Sequence, residues 1–187
     1  MRIIAITGGV GTGKTTTLEI LRERGFATIN TDKVTHRILK NSDVECIRKR
    51  FFTDKEFRVS HTRRIMPRIF LEVALNTLWL FIKGHSVVFI EIPLLFELGL
   101  HHLFYTVIVV CSESLQIQRG KKLSYLNERM AMQIPIEKKI MLAERIIYNN
   151  STIDSLRKQI KEIRFNGCNI YYCIAIFLTV VFLIICE

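Results

Sequence analysis

Eight consecutive residues, Gly8-Gly9-Val10-Gly11-Thr12-Gly13-Lys14-Thr15, have the types and spacing to hold a polyphosphate. They satisfy the P-loop pattern, G-x-x-x-x-G-K followed by Ser or Thr. Glycines let backbone N–H groups come close to phosphate oxygens and surround them. Lys14 has the reach for β- and γ-phosphates, and the Thr15 hydroxyl can ligate a magnesium ion that bridges them. Thr16 extends the same nucleotide-binding stretch. The pattern works only between a strand and a helix, and both neighbours are legible. The apolar run Ile3–Ile6 precedes it. Leu18 and Leu21 recur at helical spacing from Thr16 to Arg24, with Gly25 as the stop. The N-terminus of that helix adds a partial positive charge where the anion would sit.

A second group could act on the transferred phosphoryl. Asp32 follows the apolar run Phe26–Ile29. In a parallel α/β sheet, ligands bind beyond the carboxyl ends of the strands. Asp32 there could deprotonate an attacking hydroxyl or hold the metal through water; the plainer alternative is an N-cap or surface carboxylate. Arg119, Lys121, Lys122 and Arg129 form a basic cluster, either a lid that brings charge onto phosphate or a solvated helix face. The five histidines lack metal-ligand spacing, so no structural zinc is expected.

The elements that must position these residues alternate. Thr35–Phe51 reads as partly helical, and Pro67–Lys83 as an amphipathic helix ending at Gly84. Val87–Ile90 reads as a buried strand followed by a turn at Glu91-Ile92-Pro93, and Val107–Val110 as another strand. Glu113–Lys122 and Glu137–Ala143 read as helices, and Arg145–Tyr148 as a last short strand. Strands alternating with helices predict an α/β fold of the P-loop nucleoside-triphosphate hydrolase type, a parallel sheet with helices on both faces. Asp32, Glu91 and Ser112 then converge on the mouth that holds the P-loop.

The bulk properties bound the rest. The chain has 187 residues and a formal net charge of +10, enough for one domain with a real core. A basic balance suits a polyanionic nucleotide, an anionic membrane face or nucleic acid. No RNA-binding aromatic pattern or zinc-finger spacing supports the last, so no nucleic-acid partner is expected. Cys46, Cys111, Cys168, Cys173 and Cys186 are scattered and contain no C-x-x-C pair, which argues for a reducing compartment. Residues 1–7 lead straight into the P-loop, and no secretory signal is expected. Ile170–Cys186 is an uncharged apolar run preceded by Lys158, Lys161 and Arg164. At this length it is at the lower limit of a bilayer span. The expected organisation is a domain at 1–164, a linker at 165–169 and a membrane-spanning C-terminal helix at 170–186. The basic flank and domain would lie in the cytoplasm, tail-anchored to an intracellular membrane. The alternative is a terminal element buried on the domain.

From Arg2 to about Ile160 the sequence resembles the dephospho-coenzyme A kinase family, in particular its eukaryotic branch with a membrane tail. The resemblance is carried by Ile6–Thr15, by Ile29-Asn30-Thr31-Asp32-Lys33-Val34-Thr35-His36, and by Glu91-Ile92-Pro93-Leu94-Leu95-Phe96-Glu97. Gln116–Arg119 is similar to the start of the family's lid, and Arg129, Gln133 and Ala143–Asn149 to the segment that closes over the adenine. The resemblance implies an enzyme that uses ATP and Mg2+ to phosphorylate dephospho-CoA. It implies that Lys14, Asp32 and Arg119 are catalytic and that Gly8–Thr16 and Asn149 bind the nucleotide. It implies further that Asp32, Pro93, Leu94, Leu95 and Glu97 border the acceptor, and that Thr15 holds the metal. Three departures fall mainly on the acceptor side. Asn30 replaces the first aspartate of the acidic motif, Met66-Pro67 replaces a His-Pro pair, and the stretch from Asp32 to Phe52 is short. The alternatives left open are an ATP-binding relative with impaired transfer and a kinase for another small nucleotide.

Overall fold

The computed structural model describes residues 1–40, 43–121 and 125–163. The proposed tail helix and linker lie outside them. Among the described residues, five strands make one parallel sheet: β1 (Arg2–Gly8), β2 (Ala27–Asn30), β3 (Val87–Glu91), β4 (Tyr105–Val110) and β5 (Arg145–Tyr148). The order β2-β3-β1-β4-β5 puts β1 at the centre, with β3 on one side and β4 on the other. The apolar content of the strands follows, because helices cover both faces and leave little surface for polar residues.

One face packs α1 (Lys14–Glu23) and α8 (Ile153–Glu162) against Ile4, Ile6, Phe89, Val107 and Val109. The other packs α2 (Thr31–Ile38) and α4 (Lys55–Ile82) against Ile3, Ile29, Val88 and Ile90. The short α3 (Val44–Thr53) lies on α4. On the β4–β5 side, α5 (Glu113–Gly120), α6 (Leu126–Ala131) and α7 (Ile136–Leu142) follow in order. Through Ile136 and Ile140, α7 covers Ile108 and Val110.

The elements depart from the sequence expectations in several places. The helix expected from Pro67 begins at Lys55, because Asp54 caps it by accepting the Phe57 N–H at 2.9 Å. Pro67 therefore lies inside the helix, where it forgoes one backbone donor. Glu91, expected in a turn, is the last residue of β3 and pairs in register with Ile6 and Asn30. Helices α6 and α8 were not anticipated. The latter is capped by Thr152, which accepts from Ser155 N, and its Leu156 and Ile160 are buried against α1 and the sheet.

Candidate functional site

The P-loop is held from both sides. Gly8, Gly11 and Gly13 all have positive φ, a backbone region that side chains disfavour. A Cβ on Gly8 would strike the Val109 carbonyl, and one on Gly13 would strike the Asn149 amide. Asn149 is buried and donates to the Thr12 carbonyl at 2.8 Å, so the end of β5 fixes the loop before α1. The Thr12 hydroxyl closes the loop onto the Gly9 carbonyl at 3.0 Å. Gly9 and Gly11 lie against Gln116 of α5. Gly13 is the N-cap of α1 and carries no capping side chain. The first amides of α1 therefore face the mouth with no side chain to satisfy them, the arrangement that binds anions.

Lys14 projects into the same space and donates to the Gly9 carbonyl at 2.8 Å. Burial pushes its pKa below the usual lysine value, opposed by Glu91 and Asp32 and reinforced by Lys139. Glu91 faces Lys14 from the end of β3. Its carboxylate accepts the Asn30 amide at 2.5 Å and the Thr15 hydroxyl, while the Thr31 hydroxyl donates to its backbone carbonyl at 2.7 Å. Burial raises the Glu91 pKa to about 6, partly countered by Lys14 and increased by Asp32. Asp32 stands exposed in the first turn of α2, close enough to act electrostatically on both Lys14 and Glu91. The mouth thus gathers Lys14, Thr15, Asp32 and Glu91 from β1–α1, β2–α2 and β3.

Other anticipated residues are placed differently. The Arg119 guanidinium donates to the Asn149 carbonyl at 3.1 Å and to Cys111, on the β4–β5 side of the P-loop. Pro93 and Leu94 are half-buried on the loop after β3. Leu95, on the same loop, is fully buried. Glu97 also points inward. It accepts the Ile134 N–H at 3.0 Å and forms an ion pair with the buried Lys139. The sequence places Glu91 at the mouth, after the run Val87–Ile90, but assigns it no role there; Lys139 was missed, and no sequence signal pointed to it.

The residues around the mouth fit a hard cation bound together with phosphates. Thr15 and Glu91 are adjacent oxygen donors, and Asp32 adds a second carboxylate nearby. Among the described residues no group of three His, Cys, Asp or Glu could hold a metal alone. Magnesium with nucleotide is commonly held by one or two protein ligands plus phosphate and water.

A central strand opening into a glycine-rich loop, with a carboxylate on the neighbouring strand, defines a P-loop phosphotransferase. A dephospho-CoA kinase family profile matches residues 41–155. The dephospho-CoA kinase of Helicobacter pylori J99 is 32% identical over 185 residues, covering 85% of this chain and 94% of that protein. The dephospho-CoA kinase structure from Campylobacter jejuni superposes with a TM-score of 0.63 at 25% identity, over 87% of this chain and 95% of that one. The shikimate kinase of Acinetobacter baumannii shares the fold alone, with a TM-score of 0.59 at 17% identity over 87% and 90% of the two chains. The chain belongs to the dephospho-CoA kinase family and is an enzyme of the kinase class.

Proposed function

We propose that this chain transfers the γ-phosphoryl group of ATP to the ribose 3′-hydroxyl of dephospho-CoA, giving CoA and ADP. The observation that carries the reading is the convergence of Lys14, Thr15, Asp32 and Glu91 on the uncapped N-terminus of α1. The loop amides and Lys14 bind the phosphates and take up the charge that spreads over the transferring group. Asp32, being exposed, is accessible to an acceptor hydroxyl: it orients the hydroxyl and accepts its proton as the oxygen bonds to phosphorus and the bond to the β-phosphate oxygen breaks. Thr15 and Glu91 hold Mg2+, which when bound neutralises phosphate charge. Asn149 and Arg119 border the nucleotide on the β5 side.

The acceptor carries a diphosphate and needs cations beyond the mouth. A cavity of about 380 Å³ lies between α2, α3 and α4, lined by Arg50, Arg64 and Arg68 with Ile38 and His61 among its walls. It begins at the far end of α2, the helix that carries Asp32 in its first turn. We assign the acceptor's diphosphate to this cavity. Calorimetry tests the assignment. Arg64→Ala with Arg68→Ala should weaken dephospho-CoA binding by at least tenfold and leave ATP binding within about threefold. Unchanged acceptor affinity would remove the cavity from the site.

The same reading includes an anchor at 170–186. Three features support it. The run is uncharged. Ile163, like Phe26, Val87 and Tyr105 at the strand ends opposite the mouth, packs against the core between α1, α8 and the sheet. Helix α4 also ends on that side, with Leu71, Leu75, Leu78, Trp79 and Ile82 exposed along one stripe. Helix α4 is itself long and apolar enough to cross a membrane by length and composition. Ile65, Ile69, Val73 and Leu80 bind it to the domain instead.

A further inference from the structure

Lys139 is turned into the protein from the middle of α7, and its side chain is 1% exposed. Its Nζ lies 2.6 Å from Glu97 Oε1. That oxygen already accepts the Ile134 N–H. The contact is an ion pair without the alignment of a hydrogen bond, and among the described residues neither Lys139 Nζ nor Glu97 Oε2 has a hydrogen-bond partner. An ammonium carries three donors, and leaving them unmet in the interior is costly. Replacing such a pair by apolar residues is often neutral or stabilising, so pairing by itself is a weak reason to keep it.

Its location supplies a stronger reason. Glu97 belongs to the loop leaving β3, and α7 packs through Ile136 and Ile140 on Ile108 and Val110, at the carboxyl end of β4. Both partners therefore approach the mouth from the side opposite α2. The charge of Lys139 reaches Lys14 and depresses its pKa, so two cations act on one space. A phosphoryl group in that space would satisfy both.

We infer that Lys139 is a further catalytic residue, an ammonium that donates to the γ-phosphoryl group as it passes between ATP and acceptor, and that Glu97 is the positioning residue that aims it. The inference rests on the phosphotransferase reading above. It adds a charge from α7 that the P-loop pattern does not contain. An alternative role is a buried strut tying the loop after β3 to α7. The two roles separate in a neutral pair.

The test uses the full chain. Lys139→Met combined with Glu97→Gln removes both charges, so neither is left buried alone. A strut needs no charge, and the pair would keep both melting temperature and turnover. A phosphoryl ligand predicts a melting temperature within a few degrees of the parent and ATP affinity within about threefold. It also predicts a turnover lower by about 100-fold and an equal loss of affinity for ADP with aluminium fluoride, a mimic of the transferring group. Parent-like turnover and mimic affinity would overturn the inference. If the pair does not fold, the parent enzyme still decides: in protein carrying 15N in its lysines, the Lys139 Nζ resonance should shift when Mg2+, ADP and aluminium fluoride are added. An unmoved resonance would overturn the assignment. The mimic needs no acceptor, so these measurements stand even if dephospho-CoA proves the wrong acceptor.

Discussion

Asn30 gives its amide N–H to Glu91 at 2.5 Å while its carbonyl oxygen caps α2 by accepting the Lys33 N–H at 2.9 Å. Only an amide can do both, because an ionised aspartate accepts and does not donate. The replacement of the acidic motif's first aspartate by Asn30 is therefore compatible with an ionised Glu91 beside Lys14. The Glu91 pKa is pushed up to about 6 by burial. Its folded value exceeds its unfolded one, so the folded state holds the proton more tightly. Stability should thus be greatest below about pH 4.5 as far as this group is concerned, and decline by about 2 kcal/mol as pH rises to about 6. Glu91→Gln should abolish that decline in urea melts followed against pH. Asp32→Asn should lower the Glu91 pKa, because Asp32 raises it; Asn30→Asp should raise it. Carbon-13 titration of the glutamate carboxyls reads both directions.

Lys14 and Asp32 should separate kinetically. Lys14→Ala removes charge from the β- and γ-phosphates, and a loss of at least 100-fold in transfer, about 3 kcal/mol, is expected with the fold retained. Asp32→Asn should lower turnover far more than ATP affinity, since Asp32 acts on the acceptor hydroxyl. Equal turnover in Asp32→Asn and the parent enzyme would remove Asp32 from the mechanism.

The glycines should differ by position. Gly25 has positive φ but open space where a Cβ would stand, so Gly25→Ala should cost only about 1 kcal/mol. Gly8→Ala adds a collision with the backbone of β4, and should destabilise by several kcal/mol or prevent folding. Gly13→Ala displaces the Asn149 amide from Thr12 and should weaken ATP binding more than it lowers stability. Chemical denaturation and nucleotide titration of the three variants check the ranking.

Trp79, the sole tryptophan, is about half exposed on α4. If 170–186 enters a bilayer, deleting Ile170–Glu187 should abolish flotation with vesicles and spare ATP binding. Brominated lipids should then quench Trp79 in the full chain. An emission already blue-shifted without lipid, and red-shifted by the deletion, would mean instead that the tail packs on the α4 stripe.

Local signals carried much of this fold. The strand–loop–helix unit around Gly8–Thr15 and the strand Arg145–Tyr148 were legible, because glycine spacing and short apolar runs encode them directly. The start of α4 was misplaced because Pro67 resembles a first-turn proline, whereas the cap that sets it is Asp54, an unremarkable polar residue in sequence. The strand order β2-β3-β1-β4-β5 depends on long-range pairing and left no local trace. For the same reason Glu91 reads as a turn residue until β3 is placed between β2 and β1. Leu95 and Glu97 show the converse. Their heptapeptide was recognised, yet only packing reveals that one is core and the other faces Lys139.

The central claim is phosphoryl transfer from ATP to dephospho-CoA by this chain, and coupled ADP release measures it most directly. The full chain with Mg-ATP should release ADP slowly alone and at least 100-fold faster when dephospho-CoA is added, with stoichiometric appearance of CoA, and Asp32→Asn should lose that stimulation. Tight ATP binding with no stimulation by dephospho-CoA would contradict the account and leave an ATP-binding relative without this transfer.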